Sequence, residues 1–78
     1  MNDRVEEMTA DGRRVGRQQG KRLAAAHGPR DGGLALRLAI QIEERTMCHD
    51  SWGVGYIEGL RCALREFEGR KCLRYLDQ

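Results

Sequence analysis

Small residues recur every fourth position in two stretches of this chain: Gly12, Gly16, Gly20 and Ala24 in one, Gly55, Gly59 and Ala63 in the other. On a helix, positions four apart drift by only about 40° around the axis, so each set forms a ridge almost free of side chains. Such a ridge is costly on its own. A glycine in a helix interior is about 1 kcal/mol less favourable than alanine, so the run needs a compensating contact, and what a bare ridge offers is close approach of another backbone. Interlocking i±4 rows are a common packing mode of soluble helices. The pattern therefore predicts an all-α domain packed through Gly/Ala ridges, with the first ladder set against the second inside the chain. The other use of a ladder is a self-association or partner interface. Glycine ladders are familiar from membrane helices, but 33% of residues are charged and no run of 18 apolar residues exists, which excludes a span.

The punctuation divides the chain into three. Gly28-Pro29 within His27–Gly33 closes one helix and bars its continuation, and Asp31 is placed to cap a following one. Asp50 or Ser51 is a second N-cap. The expected architecture is a small bundle of three main helices, at about 3–27, 32–48 and 51–77, with a short C-terminal fourth if Gly69 ends the third. In the third helix Trp52, Tyr56, Leu60, Ala63, Leu64 and Phe67 form the buried face. In the first the apolar positions are Val5, Met8, Val15, Leu23 and Ala26. The middle segment is ambiguous. Leu34, Leu36, Leu38, Ile40 and Ile42 alternate as in a strand, giving an α/β-type alternative with a strand at 34–42. Leu, Ala, Arg, Gln and Glu favour helix there, and Val, Ile and Thr total only eight in the chain, leaving no convincing partner strand. As a helix this segment is apolar nearly all round, which suits the central element of a bundle.

Seventy-eight residues make one domain with a modest core. Domains this short often gain burial from a second copy, so a homodimer is expected. The opening residues, MNDRVEEMTADGRR, lack a signal-peptide pattern, and the expected location is cytoplasmic. The chain also matches itself at an offset of 39: Met8/Met47, Asp11/Asp50, Val15/Val54, Gly16/Gly55, Gly20/Gly59, Arg22/Arg61 and Ala24/Ala63 coincide. Either a duplication or one packing constraint acting on two helices accounts for that.

Net charge is +2, but residues 12–30 carry +6 through Arg13, Arg14, Arg17, Lys21, Arg22 and Arg30 with no acid. On a helix Arg13, Arg17 and Lys21 line one stripe with Arg14 and Arg22 beside it. Guanidinium forks suit carboxylate or phosphate, so the candidate partner-binding residues are Arg13, Arg14, Arg17, Lys21 and Arg22. Trp52 and Tyr56 are either core contacts or an apolar anchor of a type enriched at interfaces. The plainest alternative for the basic stripe is a solvated face.

Other chemistry is poorly represented. Cys48, Cys62 and Cys72 with His27 and His49 show no C-x-x-C pair and no familiar ligand spacing, so no metal site is expected and the thiols read as buried and free. Cys48-His49-Asp50 has the letters of a triad, but neighbours on one segment do not converge. The glycines lack the strand-then-loop context and the GK[ST] ending of a phosphate loop. Glu43, Glu44, Glu66 and Glu68 read as surface carboxylates. No cofactor and no catalysis are expected. The reading is a non-enzymatic module that occupies a surface of a larger protein or nucleoprotein complex through its basic helix. Small inhibitors and anti-defence factors of phages and mobile elements, anti-CRISPR proteins among them, share this size and composition; no family motif carries the likeness. The alternative is a nucleic-acid-binding accessory protein or regulator using the same helix on phosphates. Asp3, Glu6, Glu7 and Asp11 on that helix would repel a duplex lying along it, which favours protein.

Overall fold

A computed structural model describes residues 2–46 and 50–76, with side chains for 4–46 and 50–69. It consists of two helices, α1 (Asn2–Thr46) and α2 (Ser51–Leu76), with no strand among the described residues. The all-α class stands, but three separate helices do not. Residues 2–46 are one helix interrupted at a single residue, Gly28, whose φ of 81° and ψ of 179° lie in a region essentially reserved for glycine. Pro29 resumes the helix at once. Its fixed φ suits a first helical position, and its missing N–H is not needed there. Asp31 therefore lies within a turn already formed and caps nothing. Gly69 does not end the third helix, so no separate C-terminal fourth follows it: α2 runs through Gly69 to Leu76. Residues 34–42 are helical, their side-chain propensities prevailing over the alternation where no second strand offers pairing. Asp50 does cap α2, its Oδ1 accepting the Gly53 N–H at 2.7 Å.

The interruption folds α1 back on itself. A Cβ built on Gly20 would lie 3.2 Å from Leu36 Cδ2, and one on Gly32 would lie 3.0 Å from the Ala24 carbonyl oxygen. In a straight helix residues 20 and 36 would stand about 24 Å apart. The two limbs of α1, 2–27 and 29–46, thus run antiparallel about Gly28. α2 lies against both. It is parallel to the first limb, where Arg13 meets Glu58 and Lys21 meets Glu66, and antiparallel to the second, where Arg37 meets Glu68 and Glu44 meets Arg61.

Ala24, Leu36, Ile40, Ile57, Leu60 and Ala63 form the buried core, with Leu23, Tyr56, Leu64 and Phe67 packed on it. The first limb buries its small residues, not the apolar set expected from the sequence. Gly12, Gly16, Gly20 and Ala24 face inward, while Val5, Met8 and Ala26 are exposed and Val15 and Leu23 are half-buried. The 29–46 limb is not a central element either: Leu36 and Ile40 are buried, but Leu34, Leu38 and Ile42 are exposed.

The ladders meet each other, backbone to backbone. A Cβ on Gly12 would lie 2.2 Å from the Trp52 carbonyl oxygen, and one on Gly16 2.1 Å from that of Tyr56. Reciprocally, a Cβ on Gly55 would lie 2.1 Å from the Thr9 carbonyl oxygen and one on Gly59 2.2 Å from that of Arg13. These four glycines each face the carbonyl three residues before their counterpart when Gly12 is matched with Gly55 and Gly16 with Gly59; Gly20, in the same register, meets the Ala63 Cβ instead, at 2.6 Å from a Cβ built on it. Carbonyls directed at glycine Cα positions are the setting for Cα–H···O contacts between helices. The packing equivalence thus spans 43 positions, whereas the sequence identities coincide at 39. The shared constraint on two parallel helices accounts for the ladders without a duplication.

Candidate interaction site: the basic groove of the first limb

Because the ladder of the first limb faces α2, the residues just beside the ladder flank the seam. Arg13 and Arg17 directly follow Gly12 and Gly16, and their side chains reach across to α2. Arg13 donates from Nε at 3.2 Å and from Nη2 at 2.8 Å to Glu58 Oε2. That carboxylate holds the Arg13 proton above the usual arginine range, chiefly through the hydrogen bond and then through its charge. Arg17 donates to Glu66 Oε1, and Lys21 Nζ stands 3.8 Å from Glu66 Oε2. Arg14 pairs one turn back with Asp11 at 2.6 Å. Arg22 is exposed and forms no ion pair among the described residues.

These residues enclose a shallow groove of about 490 Å³, lined by Ala10, Arg13, Arg14, Arg17, Gln18, Lys21, Cys62 and Glu66. Four cations line it, with the Glu66 carboxylate among them. Glu66 pairs with Arg17 and Lys21, while Glu58 and Asp11 pair with Arg13 and Arg14; four cations against three carboxylates leave an excess of one positive charge, and all four basic side chains are half-exposed or more. Sequence reasoning missed Glu58, Glu66 and Cys62 as members of this surface. The Arg13–Glu58 and Arg17–Glu66 pairs are separated by 45 and 49 residues, and only the parallel register brings them together.

Trp52 and Tyr56 sit at the start of α2 beside the same seam, half-buried, with ring centroids 5.3 Å apart and planes 18° from parallel. Trp52 Nε1 donates to Asp11 Oδ2 at 3.2 Å. Asp11 therefore receives hydrogen bonds from both Arg14 and Trp52, which hold its carboxyl below the usual range. Burial raises the Tyr56 hydroxyl above its ordinary value, with the Glu43 charge adding to the effect. The pair is joined to the basic stripe through Asp11.

Glu44, Glu66 and Glu68 are not idle surface carboxylates: each pairs with an arginine of another limb or helix. Cys62 is half-buried, with Arg65 Nη2 at 3.5 Å from its sulfur, where a fully buried thiol was expected. Cys48 and His49, and the Cys72 side chain, lie outside the described residues, as does the Asp3 side chain. Among the described residues no group of three or more His, Cys, Asp or Glu is placed to hold a metal ion, and no helix is long and apolar enough to cross a membrane. In comparison with known proteins, the chain matches no family model, no characterised protein and no solved structure.

Proposed function

We propose that the chain is a non-enzymatic binding module that docks an acidic surface of a larger protein or nucleoprotein complex into the Arg13–Lys21 groove. One observation carries the reading: four cationic side chains, Arg13, Arg14, Arg17 and Lys21, line one open groove and outnumber the Asp11, Glu58 and Glu66 carboxylates that pair with them. An incoming carboxylate competes with Glu66 for guanidinium groups already held in place, so little side-chain entropy is lost on binding. Of the four, Arg14 is not tied to α2, and Arg22, exposed but outside the groove lining, adds a charge on the same limb. The stacked Trp52 and Tyr56 give an apolar edge at the end of the seam. Occupancy of this kind is how a small inhibitor acts, the anti-defence class included.

The competing reading places nucleic-acid phosphates in the same groove. Glu6, Glu7 and Asp11 continue the first limb as exposed acids, which disfavours a duplex along its length and leaves a protein with both charge signs as the better fit. The test is fluorescence anisotropy of a labelled Asp/Glu-rich peptide, labelled duplex DNA and labelled RNA across a salt series, using nuclease-treated protein. The peptide is expected to bind more tightly than either nucleic acid, and the Arg14→Glu/Arg22→Glu variant to lose most of that binding while keeping its helix content. Tighter binding of DNA or RNA, weakening steeply with salt, would replace this reading with the nucleic-acid one. No binding of any of the three at low salt would make the stripe a solvated face.

A further inference from the structure

The outward face of the 29–46 limb combines two features that do not belong on a bare surface. Leu34, Leu38 and Ile42 are 62%, 51% and 56% exposed, although each is a large aliphatic side chain. Asp31 and Arg45 lie on the same face, also exposed, and neither forms an ion pair among the described residues. At 100° per residue these five positions fall within about 80° of arc, opposite the buried Leu36 and Ile40. The result is a narrow apolar stripe with an acid at one end and a base at the other.

The order along the stripe is self-complementary. Leu34 and Ile42 each lie four residues from Leu38, and Asp31 and Arg45 each lie seven. A two-fold axis at Leu38 relating two antiparallel limbs sets Leu38 against Leu38, Leu34 against Ile42, and Asp31 against Arg45 at both ends. An isologous contact requires this kind of self-matching patch. A parallel arrangement would place Asp31 beside Asp31 and Arg45 beside Arg45. We infer that the outer face of the 29–46 limb is the interface of an antiparallel homodimer, centred on Leu38 and closed at each end by an Asp31–Arg45 pair.

This dimer is independent of the groove, because none of the groove residues lies on the 29–46 limb. Its two copies would carry two grooves, one on each first limb.

The test is sedimentation equilibrium of the full chain under reducing conditions, from about 10 µM to about 1 mM, the range in which a small interface of this kind shows its equilibrium. A monomer–dimer equilibrium is expected. Leu38→Asp should weaken it at least about tenfold by placing two carboxylates on the axis, with helix content by circular dichroism unchanged because the position is exposed. Asp31→Arg alone and Arg45→Asp alone should each weaken it several-fold, and the double variant Asp31→Arg/Arg45→Asp should recover near the original affinity. A monomer throughout, a dimer indifferent to Leu38→Asp, or a double variant no better than the single ones would each overturn the proposal.

Discussion

Adding one methyl group at Gly16 tests the seam on which the rest of the molecule is built. A Cβ there would lie 2.1 Å from the Tyr56 carbonyl oxygen, 2.9 Å from its carbonyl carbon and 3.0 Å from its Cα. All three are backbone atoms, so no rotamer change relieves the overlap. Restoring a carbon–oxygen separation of about 3.3 Å parts the first limb from α2 by about 1 Å. A gap of that size forfeits about a quarter to a half of each dispersion contact along the seam. With the strain of overpacking, the steric loss comes to about 3–4 kcal/mol. Alanine recovers about 1 kcal/mol of helix propensity, so Gly16→Ala should destabilise by about 2–3 kcal/mol. At about 4–8 °C per kcal/mol for a domain of this size, the melting temperature should fall by about 8–24 °C. Gly59→Ala, blocked by the Arg13 carbonyl oxygen at 2.2 Å, should behave alike. Gly69 is the control: it is helical with nothing within 4 Å, so Gly69→Ala should gain about 0.5–1 kcal/mol. Thermal and urea unfolding followed by far-UV circular dichroism reads all three. Gly16→Ala as stable as the parent, or raised as much as Gly69→Ala, would refute the backbone contact.

Nothing lies within 4 Å of a Cβ on Gly28, so Gly28→Ala should cost about 1–3 kcal/mol through backbone strain alone; D-alanine at the same site, made by chemical synthesis, should be tolerated because it favours positive φ. The Arg13–Glu58 pair is 50% and 47% exposed, so in a double-mutant cycle to alanine the two single substitutions should be close to additive, as for an ordinary surface ion pair; a clear departure from additivity would show a desolvated pair. Asp11 is held below its ordinary 3.8, so its contribution is present above that pH and is lost as pH falls through the lower folded value. Trp52 emission should report that acid transition, and Asp11→Asn should abolish it. Tyr56 is raised above 10.0 by burial and Glu43; its contribution is complete below pH 10 and is lost as pH rises through the folded value. Tyr56→Phe should flatten the alkaline arm of a melting-temperature profile.

The sequence is read most easily where one local rule has no competitor. The glycine ladders, the Asp50 cap and the break at Gly28 are each visible in a few residues. What escapes is whatever depends on register between distant segments. Val5, Met8 and Ala26 look like a core face by hydropathy, yet in the first limb closeness of approach, not apolar area, decides what is buried. Gly28 was legible as a stop but not as a reversal inside one helix, because the immediate restart at Pro29 depends on its ψ, which the sequence leaves open. The arginines of the groove were visible as a stripe. Their carboxylate partners on α2 were not, since Glu58 and Glu66 become neighbours only when the helices run parallel. The aliphatic surplus of the middle segment points to a central position, yet Leu34, Leu38 and Ile42 are exposed and only Leu36 and Ile40 are buried.

The reversal of α1 at Gly28 creates the parallel seam, the groove and the exposed outer face together. Spin labels at Gln18 and Gln41, both exposed, in a chain whose cysteines are replaced by serine, measure this directly by pulsed electron double resonance. Folded back, the two sites lie across neighbouring limbs, and the distance distribution should centre at about 20 Å, roughly one helix diameter plus the label arms. A straight α1 would separate them by about 35 Å along the axis before the labels are added, and a distribution centred at or beyond that value would contradict the account.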